Sequence, residues 1–363
     1  MLATTCPSWS GFMVAPNLAR RGCVVVTVNY RLGAFGFLGA NNWGIGDQIN
    51  ALRWVNQHIA HVGGDSRNVT IFGESAGGSS VLALVAAPAT NGLVQRAIAM
   101  SPSIGQYRTD GVAASRESEF HTYLAIDANN ASIEEILAAQ SNVVSAPGQG
   151  FDAFSPTLGG THIPADIIKS VAESDVQLMI GTTKDENRLF TTFDPSISQL
   201  DAAGVIARIS STFGDRAEMV YKAYASHNIH HTPPQVLAAI ETDGTFRRPA
   251  RRLADARSKN GLDTHVYWFA VDTTSFGGVL GSCHAADIPF TFNNLDMPGV
   301  TSFIGDIPDA VGVAEWFSQK LVAFASGIEP WEPYRQDNQA VISVEADPRI
   351  LVAHESELLH LWE

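Results

Sequence analysis

The sequence predicts an α/β fold with a mostly parallel sheet and helices on both faces, and three observations carry that reading. Short runs rich in β-branched residues, such as residues 24–28 and 69–72, are each followed by a glycine-rich turn and then by helical periodicity. These runs are apolar throughout rather than alternating, as strands covered on both faces are. With 363 residues, 45% hydrophobic and 17% charged, the chain can bury a sizeable core, and it is read as one domain over 1–363.

Residues 24–28 form the first legible strand, ending at Asn29-Tyr30. A glycine-rich turn over 33–46 follows, and Asp47 opens a helix in which Ile49, Leu52, Val55 and Ile59 recur at three- and four-residue intervals. Gly63-Gly64-Asp65 ends that helix, residues 69–72 give a second strand, and helical character resumes from Ala76 through Val81, Leu82 and Val85. Further strands are expected at 96–100, 176–181 and 265–271. Residues 200–257 are read as a helical insertion over one end of the sheet, broken at Thr232-Pro233-Pro234. Near the end, Ala314, Phe317, Leu321 and Phe324 share a helix face and Gly327 stands where a C-terminal cap belongs.

The formal charge of −14 repels polyanions, and the basic run Arg247, Arg248, Arg251 and Arg252 has helical spacing, so it is read as a solvated helix face and no nucleic-acid partner is expected. Cys6, Cys23 and Cys283 fit neither a disulfide framework nor paired zinc ligands. His227, His230 and His231 lack an interleaved acid and are read as a loop rather than a metal site. No apolar stretch approaches the ~20 residues that span a bilayer, and residues 1–21 lack a basic start before an apolar core. A cytoplasmic protein without a membrane partner is expected; oligomeric state is not legible.

Gly73-Glu74-Ser75-Ala76-Gly77 lies between an expected strand and an expected helix, the context of a nucleophile elbow. A serine in so sharp a turn needs small neighbours, and Gly73, Ala76, Gly77 and Gly78 supply them. A serine hydroxyl also needs a base to take its proton and a carboxylate to hold that base, in the chain order Ser, Asp or Glu, His.

The runs Asn29-Tyr30-Arg31-Leu32-Gly33, Asp47-Gln48, Gly63-Gly64-Asp65 and Gly73-Glu74-Ser75-Ala76-Gly77-Gly78 resemble successive signatures of the type B carboxylesterases, in the family's order. The resemblance implies an α/β-hydrolase fold. It also places the triad acid in a K-D-E-G-like segment, matched by Lys184-Asp185-Glu186-Asn187, with Asn187 departing from the usual glycine but tolerant of left-handed backbone. It places the base in a G-x-x-H segment, matched by Gly281-Ser282-Cys283-His284. Ser75, Glu186 and His284 are thus the expected triad, the Ala76 amide an expected oxyanion donor, and Glu74 and Ser101 expected supporting residues, Ser101 either through a hydrogen bond to Glu186 or as a simple strand-end cap. Arg31 and Asp47 match positions read as a structural ion pair. Cys283 adjoins the base but has no elbow and is read as a packed thiol.

The family's H-G-G-G-like oxyanion segment has no counterpart over 1–21, where Gly11 and Gly22 stand alone. The strand leading into it, which lies between the strands at 24–28 and 69–72, is expected to be missing, so an N-terminally truncated domain is expected. The resemblance implies a serine carboxylesterase acting on a small-molecule ester without metal or organic cofactor. The rival expectation is a weak or inactive truncated esterase acting as a binding module, and the same triad would also serve an amidase or thioesterase.

Overall fold

The computed structural model describes residues 2–4, 14–146, 151–227 and 231–363. Eight strands form one sheet: β1 (Leu2–Thr4), β2 (Val26–Thr27), β3 (Thr70–Glu74), β4 (Arg96–Met100), β5 (Gln177–Thr183), β6 (Thr264–Phe269), β7 (Ala340–Val344) and β8 (Arg349–Val352). Their spatial order is β2-β1-β3-β4-β5-β6-β7-β8, every pair parallel except β7 with β8.

Side chains along each central strand alternate between two apolar layers, as the period of two requires. Ile71, Ala97, Ala99, Leu178 and Ile180 face one layer, with Ile45, Ile49 and Leu52 of the Trp43–His58 helix and Val81 and Leu84 of the Ala76–Ala86 helix. Phe72, Ile98, Met100 and Met179 face the other, with Phe290 and with Phe317 and Leu321 of the Ala310–Ala325 helix. Both faces being covered explains why the central strands are apolar throughout; the expected 24–28 strand is corrected, being reduced to Val26–Thr27 at the sheet's edge, where it is only partly buried.

The expected absence of a strand between those at 24–28 and 69–72 is corrected: Leu2–Thr4 occupy that place, parallel to both β2 and β3. The 43–58 helix also begins four residues before Asp47, and part of the glycine-rich 33–46 stretch is a short Gly33–Phe37 helix. Arg31 and Asp47 pair side by side, Nε to Oδ2 at 2.8 Å and Nη2 to Oδ1 at 2.7 Å.

Helices Ala202–Phe213, Ala217–His227 and Pro233–Thr242 share their own apolar cluster around Val205, Ile209, Val220 and Leu237. Pro233 opens the third of these behind a Thr232/Gln235 capping box, so the Thr232-Pro233-Pro234 break is a helix start. A single π-helical turn, Asp243–Arg247, joins it to the Arg248–Lys259 helix, whose Ala250, Leu253 and Ala254 belong to the sheet's core. The reading of the basic run as a solvated face is corrected for two residues. Arg247 and Arg251 are each 8% exposed, Arg247 paired with Asp243 and Glu355 and Arg251 bonded to Gln339, because acceptors from β7's approach and from the chain's last turns converge there. Among the described residues no helix is long and apolar enough to cross a membrane.

Candidate active site

β3 runs straight into Ser75, which adopts φ 59°, ψ −119° before the Ala76–Ala86 helix begins. A non-glycine residue there is strained, and the turn is held from outside: Ser75 N donates to Met100 O at 2.9 Å. Gly78 is needed for contact with β4, since a Cβ would lie 2.6 Å from Met100 O. Ala76 is the helix's first residue, so its amide has no acceptor within the helix and lies at the positive end of the dipole.

Glu186 follows β5 by three residues and is fully buried. Its Oε1 accepts from Ser101 Oγ at 2.6 Å and from Thr183 N at 2.7 Å, and its Oε2 meets His284 Nδ1 at 2.6 Å. Ser101 is itself buried, at φ 42° just past β4, with its amide on Gly181 O at 2.8 Å. Asn187 is right-handed, φ −75°, ψ −7°, so its departure from glycine needs no left-handed tolerance.

His284 lies in the loop after β6, with Phe190 and Phe246 rings at 5.2 and 5.0 Å from its own. Its Nε2 is 3.1 Å from Glu74 Oε1, yet that oxygen makes no aligned hydrogen bond. Among the described residues no hydrogen bond joins Ser75 Oγ to the imidazole.

Three buried carboxylates, Glu74, Glu186 and Asp287, surround this one ring. Burial works against the imidazolium, but Glu74 and then Glu186 outweigh it and raise the His284 pKa to about 9. Burial pushes Glu74 up to about 8 and Asp287 to about 7. The three carboxyl groups cannot all ionise beside one cation. Glu186 accepts three hydrogen bonds, whereas Glu74 keeps an orphaned Oε1 and burial is the largest influence on its raised pKa.

Sequence reasoning marks Asp287 as the acidic residue after the histidine segment but gives it no role, and misses the flanking rings of Phe190 and Phe246; Asp287 Oδ2 accepts from Tyr267 OH at 2.9 Å. Position three residues past the histidine was the available signal for Asp287; nothing local marks the two phenylalanines. Gly22 lies by the start of β3, beside Asn68 and Val69 in a cavity of ≈ 220 Å³, the opposite strand end from Ser75. Gly11 and Cys6 fall outside the described residues, as does His230. His231 meets Arg188 and His227 meets Glu355, in separate contacts. Cys283 is buried and its thiol pKa is pushed up to about 12 by burial, which suits packing.

A carboxylesterase family model matches residues 8–362. The chain belongs to the carboxylesterase family. It is 33% identical to phenmedipham hydrolase of Pseudarthrobacter oxydans over 90% of this chain and 70% of that one, and 32% identical to para-nitrobenzyl esterase of Bacillus subtilis (strain 168) over 94% and 73%. A Geobacillus stearothermophilus carboxylesterase structure superposes with a TM-score of 0.88 at 28% identity, covering all of this chain and 81% of that one. The fold is that of the α/β-hydrolases, and the carboxylesterase described here is a carboxylic ester hydrolase.

Proposed function

We propose that this carboxylesterase cleaves esters through an acyl-enzyme on Ser75, with His284 as base, Glu186 as its orienting acid and the Ala76 amide as an oxyanion donor. The observation that carries the reading is the buried Ser101–Glu186–His284 chain of 2.6 Å contacts, whose far imidazole nitrogen lies 3.1 Å from Glu74, the residue before the strained turn at Ser75. A carboxylate so held keeps the proton on Nδ1, so that the neutral imidazole, formed once the raised His284 pKa is passed, has Nε2 free to accept.

Ser75 Oγ attacks the ester carbonyl as His284 Nε2 takes its proton. The tetrahedral adduct collapses, the C–O bond to the alcohol breaks, and Nε2 returns the proton to the leaving alkoxide. Water, deprotonated by the same nitrogen, then releases the acid and restores Ser75. In unliganded hydrolases the serine–histidine hydrogen bond is often long and tightens with substrate, which accommodates its absence here. Phe190, half-exposed beside His284, supports substrates with an apolar or aryl group, in line with relatives named for phenmedipham and para-nitrobenzyl esters.

The test is hydrolysis of para-nitrophenyl acetate and butyrate by monodisperse protein beside Ser75→Ala, with fluorophosphonate labelling of Ser75. Loss of turnover by more than about 10³-fold and loss of label in Ser75→Ala are expected. Turnover that survives the substitution would sink the reading.

A further inference from the structure

The loops bearing Glu186 and His284 are joined at more points than the imidazole–carboxylate pair. Asp185 N donates to Ser282 O at 2.8 Å, Ser282 N donates back to Asp185 Oδ2 at 3.1 Å, and His284 N donates to Glu186 O at 3.3 Å. One rung of this short ladder is therefore a side chain, whose orientation must itself be fixed.

Arg188 fixes it. Its Nη2 stands 3.0 Å from Asp185 Oδ1, with both side chains under a tenth exposed. Gly281, at φ +58°, backs directly onto the pair: a Cβ there would lie 2.4 Å from Asp185 Oδ2 and 2.9 Å from Arg188 Nη1. The same Nη2 lies 2.6 Å from His231 Nε2, immediately before the capping box of the Pro233–Thr242 helix. An arginine has no acceptor, so His231 presents a neutral nitrogen, consistent with burial and Arg188 both lowering its pKa. At its far end that helix supplies Thr242 Oγ1 to Asn187 N at 3.1 Å and leads into the turn carrying Phe246.

We propose that Arg188 is a positioning residue for ester hydrolysis: by orienting Asp185 against the Ser282 amide it sets the offset between Glu186 and His284, and through His231 it anchors that joint to the helix before Phe246. This rests on the reading of Glu186 and His284 as acid and base. A planar guanidinium meets two acceptors in fixed directions, whereas a lysine in its place could meet Asp185 but not also hold His231.

The experiment compares wild type, Arg188→Met and Arg188→Lys by steady-state kinetics on para-nitrophenyl butyrate and by the low-field proton NMR resonance of His284 Nδ1–H. The Met variant is expected to lose about 10–100-fold in kcat with KM little changed, since small misplacements of catalytic groups cost that much. Its low-field resonance should shift or broaden, and the Lys variant should recover part of both. Where Arg188→Met fails to melt cooperatively, Asp185→Asn, which keeps an acceptor for Ser282 but not the charge facing Arg188, is expected to show the same fall in kcat.

Wild-type kcat and an unmoved resonance in the Met variant overturn the proposal, as does a change in KM alone or a Lys variant no better than Met. Wild type without Ser75-dependent turnover defeats the proposed function instead, and the NMR comparison then decides the positioning role by itself.

Discussion

Glu74 and Glu186 approach the same imidazole from its two nitrogens, in different surroundings. Glu186 meets three partners, while burial pushes Glu74 up to about 8, so its carboxylate forms over the same range in which His284 loses its proton. The free-enzyme acid limb of kcat/KM reports loss of the imidazolium proton, so with the His284 pKa raised it should lie above 6.5, the ordinary histidine value. Ionised Glu74 favours the imidazolium; Glu74→Gln removes that support. The limb is expected to move to lower pH in the variant, and a pH–rate profile that stays put or moves upward contradicts the assignment. Ser75 and His284 were legible because strained turns and proton relays need particular residue types at fixed places. Asp287 was legible as the acidic residue after the histidine but not in its burial against the ring, and Phe190 and Phe246 were not legible, since a phenylalanine in a helix carries no mark of what it will face.

At the scale of elements, the π-helical turn Asp243–Arg247 does two jobs. It places Phe246 on His284 and drives Arg247 inward, where Nη1 pairs with Asp243 at 2.7 Å and with Glu355 while Nη2 donates to Lys184 O at 2.9 Å. Replacing Arg247 by Met strands two buried carboxylates, and the expected loss is about 3–5 kcal/mol in urea unfolding near neutral pH. Burial already raises Asp243 to about 6, opposed by Arg247; without the arginine its folded pKa climbs further. A carboxyl with a raised folded pKa destabilises once pH exceeds its unfolded value of 3.8, so the deficit should shrink as pH falls from 7 toward 5. A deficit that grows on acidification contradicts this account. The strands at 96–100 and 69–72 were legible as apolar runs bounded by turns, whereas 340–344 and 349–352 were not read as strands. Residues 340–344 carry the same apolar signal as 96–100 and were overlooked, whereas 349–352 are four mostly exposed residues that become a strand only by pairing with β7.

For the whole molecule, the sheet ends in β8, an antiparallel strand on an otherwise parallel sheet, with Val352 66% exposed. Among the described residues its outer backbone groups face no further strand in the sheet order, an arrangement that invites pairing between copies. Val352→Lys is expected to slow heat-induced aggregation, read by light scattering, with kcat unchanged; unaltered scattering would exclude this edge as the contact. The order of the sheet's other end was hidden from sequence, because three residues cannot announce a strand without the two neighbours that flank them.

Those three residues also set a condition on folding. β1 separates β2 from β3, so among the described residues the β2 end is joined to the remaining strands through Leu2–Thr4. On a ribosome adding ~5–20 residues per second, Leu2–Thr4 can meet Val26–Thr27 early but must wait several seconds for Thr70–Glu74, their partner on the other side. The join between β2 and the rest of the sheet is therefore closed late, and a nascent chain stalled before residue 70 has only one of the two strands that flank β1.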